Sequence, residues 1–302
     1  MNEIFDQVLI QIIFAIYLCL IIFLYKYAHG FLYPINKNKL HRRFVPTKNT
    51  SETLHLLSRV LGVCIIFSSF EIGLEQGILF ALLDIFLLGA VSLTLFIVSI
   101  YILESIVMYN FEYIDEIEKK KNIAYSLISV AHTLGLAFII STALKHSLGS
   151  LTFLAFSWLF SIVIIGFLAK GFSFYSKLPF NRLMIQKDSS TSFSYFGYFL
   201  GWSLIISSAL NHPLHDIKWY GVTALLKVLL ALILIPIFLK LLIIIFNIQD
   251  DYESTNEVDK TTETEQKTLS YGIYEGTIFI CSCFLTIVIS EQIHFGTFYP
   301  TL

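Results

Sequence analysis

Residues 123–144 read IAYSLISVAHTLGLAFIISTAL and residues 193–210 read FSYFGYFLGWSLIISSAL. Neither stretch holds an Asp, Glu, Lys or Arg. At about 1.5 Å of rise per residue, a helix of about 20 residues crosses the hydrocarbon layer of a bilayer. Backbone N–H and C=O groups find no water in lipid, so such a run is satisfied as a helix. A membrane β-barrel would instead show strictly alternating segments of about ten residues, and neither stretch does.

Working outward, eight runs of this kind are expected to span: Val8–Tyr25, Leu54–Phe70, Ile78–Met108, Ile123–Leu144, Leu151–Leu168, Phe193–Leu210, Trp219–Phe246 and Tyr271–Ser290. The third and seventh are long enough to tilt. The composition agrees, with 56% hydrophobic and 14% charged residues among 302, against about 25% charged in soluble domains. Asn2, Glu3 and Asp6 precede the first run, where a secretory signal carries positive charge, so this run reads as a retained span. The expected fold is an all-α integral membrane protein, a single membrane domain over 1–302.

A net charge of −2 gives no electrostatic footprint for nucleic acid. Cys19, Cys64, Cys281 and Cys283 fall in apolar runs with no CxxC spacing and read as small packing residues. No metal or cofactor is expected.

Lysine and arginine concentrate in alternate loops: Lys37, Lys39, Arg42, Arg43 and Lys48; Lys119, Lys120 and Lys121; Lys177, Arg182 and Lys187; Lys260 and Lys267. The opposite side carries Lys145 and Lys218. The positive-inside rule puts the four basic loops in the cytoplasm and both termini outside it. Tyr25, Tyr27, Tyr109, Phe111, Tyr113, Phe174, Tyr175, Tyr271 and Tyr274 cluster at that boundary, as an aromatic interface belt does. Segment 249–268 is acidic and almost free of apolar residues, the composition of a disordered cytoplasmic loop.

The even-numbered spans share a register. Gly62, Gly135, Gly201 and Gly276 align without gaps. Four residues earlier stand Ser58, Ala131, Gly197 and Gly272; six later stand Ser68, Ser141, Ser207 and Ser282. Thirteen earlier stand Asn49, Asn122, Asp188 and Glu263, candidate helix caps. Small residues at this spacing let helix backbones approach in lipid, and serines beside them can bond across helices. Each repeat is then an odd span, a basic loop and an even span, with units near 5–75, 78–147, 150–213 and 218–293. Two spans per unit make the four repeats parallel rather than inverted.

On these residues, from Asn122-Ile123-Ala124 through Leu134-Gly135 to Ser141-Thr142-Ala143-Leu144, the chain resembles the bacterial "domain of unknown function 350" family of YjfL-like inner-membrane proteins. The resemblance implies a two-helix unit, here present four times, and a bacterial inner-membrane location. The fourth unit departs, with Glu263 as its cap and Glu275 before its glycine. The family carries no established chemistry to transfer.

Charges within spans are costly, about 2.5–3.5 kcal/mol at a helix centre on insertion scales. Lys26, Glu104, Lys170 and Lys240 fall at about one depth near the basic end of the odd spans, a candidate charged ring around an axial path. Snorkelling lysines and one structural ion pair are the plainer account. Arg59 and Glu275 lie about one turn inside their spans and are candidate partners, as are Lys227 and Asp84. His132 is a candidate proton relay, although a hydrogen-bonded packing histidine is the commoner role. No nucleotide loop, nucleophile elbow or HExxH motif occurs, so no enzymatic activity is expected. Two functions remain: a channel or transporter for an ion or small solute, and a non-catalytic subunit or scaffold recruiting cytoplasmic partners. The expected contacts are the lipid bilayer and either a cytoplasmic protein or a second copy of the chain.

Overall fold

The computed structural model describes residues 2–32, 46–70, 77–147, 150–176, 180–212, 216–248 and 269–293. Their regular elements are α1 (Asn2–Leu32), α2 (Thr50–Phe67), α3 (Ile78–Val107), α4 (Ile123–His146), α5 (Leu151–Ser176), the short α6 (Phe180–Ile185), α7 (Ser189–Leu210), α8 (Ile217–Ile245) and α9 (Leu269–Gln292). A 3₁₀ turn (Pro46–Lys48) precedes α2 and a π-helical turn (Ile114–Lys119) precedes α4. All but α6 are long and apolar enough to cross a membrane, which makes eight spans among the described residues. The fifth runs past the expected Leu168 to Ser176, because Ala169, Phe172 and Ser176 keep a buried face. The sixth begins earlier than Phe193, at Ser189, where Asp188 caps it.

The helices form two layers. α2, α4, α7 and α9 stand side by side in that order, and α1, α3, α5 and α8 line them on the other side. The inner row is the core: 78% of the α4 span and 67% of the α7 span are buried, against 17% for α1 and α8. Contacts show that the inner helices run parallel. Ser51 meets Ser126, and further along Arg59 meets Thr133; Ser194 meets Glu275, and further along Ser208 meets Glu291.

Local chemistry fixes where the inner helices begin. The Asn49 side chain accepts from Glu52 N at 3.2 Å, and Asn122 from Tyr125 N at 3.4 Å. Asp188 accepts from Ser190 N at 3.0 Å and Thr191 N at 3.3 Å. Each satisfies backbone donors that a helix start leaves unpaired. The asparagines also tether neighbours. Asn49 Nδ2 donates to Ile117 O at 2.7 Å, and Asn122 Nδ2 donates to Met184 O at 3.2 Å. Lys121 and Lys187, just before two of the caps, share a left-handed backbone (φ 51° and 59°), so the same tight turn feeds α4 and α7.

The acidic segment 249–268, with Glu263, Lys260 and Lys267, lies outside the described residues, as do Lys37, Lys39, Arg42, Arg43, Lys177 and the side chains of Lys26 and Arg182.

Candidate functional site

The register glycines sit at the closest approaches of the inner row. A Cβ on Gly62 would come within 2.6 Å of Phe96 and 2.8 Å of Thr133. One on Gly135 would meet Ser203 and Phe199 of α7, and one on Gly201 would meet Cys283 and Phe279 of α9. The last interface is different. Gly197 lies directly against the Gly276 backbone, and Gly272 against the backbone of Ser190. Thus the α2 and α4 glycines meet side chains of the helices they pack on, whereas the α9 glycines meet the α7 backbone. Ser58 and Ala131 are buried beside the seam.

The later serines of the register do not bridge helices. Ser68 donates to Ile65 O and Ser282 to Ile278 O, each within its own segment, and Ser207 Oγ is buried with no partner among the described residues. Ser141 is only half-buried. Bridging falls instead to serines of the first turns: Ser51 Oγ meets Ser126 Oγ at 2.5 Å and donates to Asn122 O at 2.6 Å.

The charge centre of the molecule is Arg59. Its side chain is fully buried and forms an ion pair with Glu104 of α3. It also donates to Thr133 Oγ1 at 2.6 Å and Ser129 Oγ at 2.8 Å, and lies 3.3 Å from His55 Nε2. Ser129 Oγ donates to Glu104 at 2.9 Å. The expected Arg59–Glu275 pair is therefore not formed. Glu275 accepts from Ser194 Oγ at 2.5 Å, on the far side of α4 and α7 from Arg59. A fork of guanidinium donors spread over two hydroxyls and a carboxylate is how a buried arginine is satisfied.

Polar contacts continue across the row. On the other side of α4, His132 Nε2 lies 2.8 Å from Tyr195 Oη of α7. Between α7 and α9 stands the Ser194–Glu275 bond, so each inner interface carries its own polar group. Tyr25 and Tyr113, expected at the aromatic boundary, are inside the helix packing. Both are buried, with the Tyr113 ring 4.9 Å from that of His55. Burial with acidic neighbours pushes the Tyr113 hydroxyl well above its ordinary pKa. Tyr27, Tyr109 and Phe174 are exposed, as a belt residue is.

The described members of the candidate ring, Glu104, Lys170 and Lys240, do not converge. Lys170 is exposed, its ammonium over the Tyr109 ring at 5.3 Å, and Lys240 is exposed on the outer layer. Among the ring members whose side chains are described, only Glu104 points inward, and Arg59 pairs with it. Lys227 is buried in α8 and forms no ion pair with Asp84 among the described residues. No group of three His, Cys, Asp or Glu side chains converges as metal ligands do among the described residues.

Sequence spacing missed the partners of Arg59, because Ser129, Thr133 and Glu104 lie on other helices at no fixed offset. The signal available was that Arg59 and Glu104 are both charged residues inside spans.

Eight helices long and apolar enough to cross a membrane, an inner row of parallel helices and glycine contacts between them define a multi-pass helical membrane protein. The chain belongs to the Domain of Unknown Function (DUF350) family, whose model matches residues 3–144, 77–188 and 145–289. No curated protein and no solved structure matches it.

Proposed function

We propose that this chain is a non-catalytic subunit of a bacterial inner membrane, a rigid platform that holds cytoplasmic loops for a protein partner. The observation that carries this reading is the filled inner seam. Gly197 touches Gly276 backbone to backbone, and Gly135 and Gly201 are closed by Phe199 and Phe279, while Lys170 and Lys240 face outward. A slab packed on backbone contacts has little room to open an axial path. The basic loops mark the cytoplasmic side and leave both termini outside. On that side the segments 37–48 and 249–268 carry opposite charge, which suits electrostatic recruitment. The four units near 5–75, 78–147, 150–213 and 218–293 are parallel repeats, in keeping with the overlapping family matches. Affinity purification from native membranes should recover a stoichiometric partner that disappears when residues 249–268 are deleted. Recovery of the same proteins from the deletion variant would remove the reading.

Transport of an ion or small solute is the second reading, favoured by the buried polar pairs Glu104–Arg59 and His132–Tyr195 within the spans. Flux of protons or small ions into liposomes carrying the purified protein, abolished by Glu104→Gln, would establish it in place of the first.

A further inference from the structure

Two residues before the register glycines stand Val60, Thr133 and Phe199. Two after them stand Cys64, Ala137 and Ser203, and six before them Leu56, Ser129 and Tyr195. In α4 and α7 all of these positions are fully buried, because the preceding inner helix lies against this flank. Arg59 and Gly62 of α2 reach Ser129 and Thr133; His132 and Gly135 of α4 reach Tyr195, Phe199 and Ser203. α2 has no inner helix before it. Its Leu56, Val60 and Cys64 are only half-buried, and Leu57 and Leu61 beside them are 54% and 51% exposed. The flank that is covered in α4 and in α7 is therefore open in α2.

The open flank has the chemistry of a helix–helix seam. Thr53, Leu57, Val60 and Cys64 follow one another at four, three and four residues, the spacing of the contact line between two parallel helices. None is charged or aromatic, and Thr53 Oγ1 donates to Asn49 O at 2.9 Å on its own helix, so a second backbone can come close in lipid. At the other end of the row, the matching positions of α9 are Lys267, Tyr271, Tyr274 and Ile278. There Tyr271 and Tyr274 pack edge to face with centroids 5.9 Å apart, and two rings hold a neighbour off. Wherever this flank is covered, the covering helix runs parallel to the helix it covers. A second copy related by a twofold axis along the membrane normal supplies such a helix, its own α2, with the same residues on both sides of the contact.

We propose that two copies of this chain pair through the open flank of α2, with Thr53, Leu57, Val60 and Cys64 of one copy against the same residues of the other. Each α2 then has an inner helix on both sides, as α4 and α7 do, and the two inner rows join into one. The inference does not depend on the platform reading.

Cysteine cross-linking of the full chain in native membranes tests the pairing, with two differently tagged copies expressed together and a membrane-permeable oxidant added. A chain that keeps Cys64 and lacks Cys19, Cys281 and Cys283 should give a band at twice the chain's mass that carries both tags. Removal of Cys64 as well should abolish the band. In that cysteine-free background, Thr53→Cys, Leu57→Cys and Val60→Cys should each restore it. Leu232→Cys, on an exposed part of α8, should not, because copies that meet there do so only by collision. No band from any of the four α2 positions would show that lipid covers the flank, and overturns the proposal. A band from Leu232→Cys as strong as that from Val60→Cys also overturns it. So does a band that only Cys19 or Cys281 supports, which would put the contact on α1 or α9.

Discussion

The two ends of the inner row are held by different chemistry. At one end, α2 and α4 meet through Arg59, Ser129, Thr133 and the Ser51–Ser126 pair. At the other, α7 and α9 meet through bare backbone at Gly197, Gly272 and Gly276, with Ser194–Glu275 beside them. The aligned register runs through both, yet it produces a hydrogen-bonded joint in one place and a glycine joint in the other. In lipid no hydrophobic drive joins helices, so dense packing and polar bonds are the available means. The first two inner helices use mainly the second, and the last uses mainly the first. By turning its glycines back to α7, α9 also ends the row, since no register glycine is left facing outward.

This contrast can be broken from either side. The largest effect is expected at the glycine joint. Gly272→Leu places a side chain into the Ser190 backbone, which cannot rotate away as a side chain would. The loss should exceed the roughly 1–3 kcal/mol of ordinary overpacking, and α9 should become protease-sensitive in detergent; a wild-type melting temperature would show that the joint is loose. At the polar joint, Arg59→Met leaves Glu104 buried without its cation and should cost about 3–5 kcal/mol, whereas Arg59→Met with Glu104→Met should recover most of it. Failure of the double variant to recover would show that the pair does more than neutralise itself.

Smaller effects test the edges. Asn122→Ala removes a cap and a tether to Met184, an expected loss of about 1–2 kcal/mol in the unfolding midpoint. Asp188 is an acceptor-only cap with no matching tether, so Asp188→Asn should preserve the cap and most of the stability. The pH dependence should come from His212, outside the spans. Burial lowers its pKa from 6.5 to about 4. The unfolded chain then binds the extra proton first, so the stability His212 contributes is complete above about pH 6.5 and falls as pH drops toward 4. This step should be present in wild type and absent in His212→Gln.

Much of this was legible in the sequence. Eight spans follow from run length alone, because lipid leaves the backbone only the helix. The caps Asn49, Asn122 and Asp188 follow from side-chain chemistry at a fixed distance from each glycine. The glycines lie at contacts, but the register does not say which helix each contacts, and the rotation of α9 depends on packing between chain segments far apart in sequence. Arg59 and Glu275 sit at similar depths, and depth alone suggested a pair. The row order separates them by two helices, and Glu104 reaches Arg59 from the outer layer. Of the late serines, Ser68 and Ser282 bond to carbonyls of their own segments, an option always open to a serine in a helix.

The row itself is most directly tested by disulfide trapping in native membranes, in a background lacking Cys19, Cys64, Cys281 and Cys283. Ser51→Cys with Ser126→Cys joins α2 to α4, and Ser194→Cys with Glu275→Cys joins α7 to α9; both should cross-link rapidly. A closed ring of inner helices would instead bring α2 against α9, so cross-linking of Leu57→Cys to Thr277→Cys within one chain, with the first two pairs silent, would contradict the packed row.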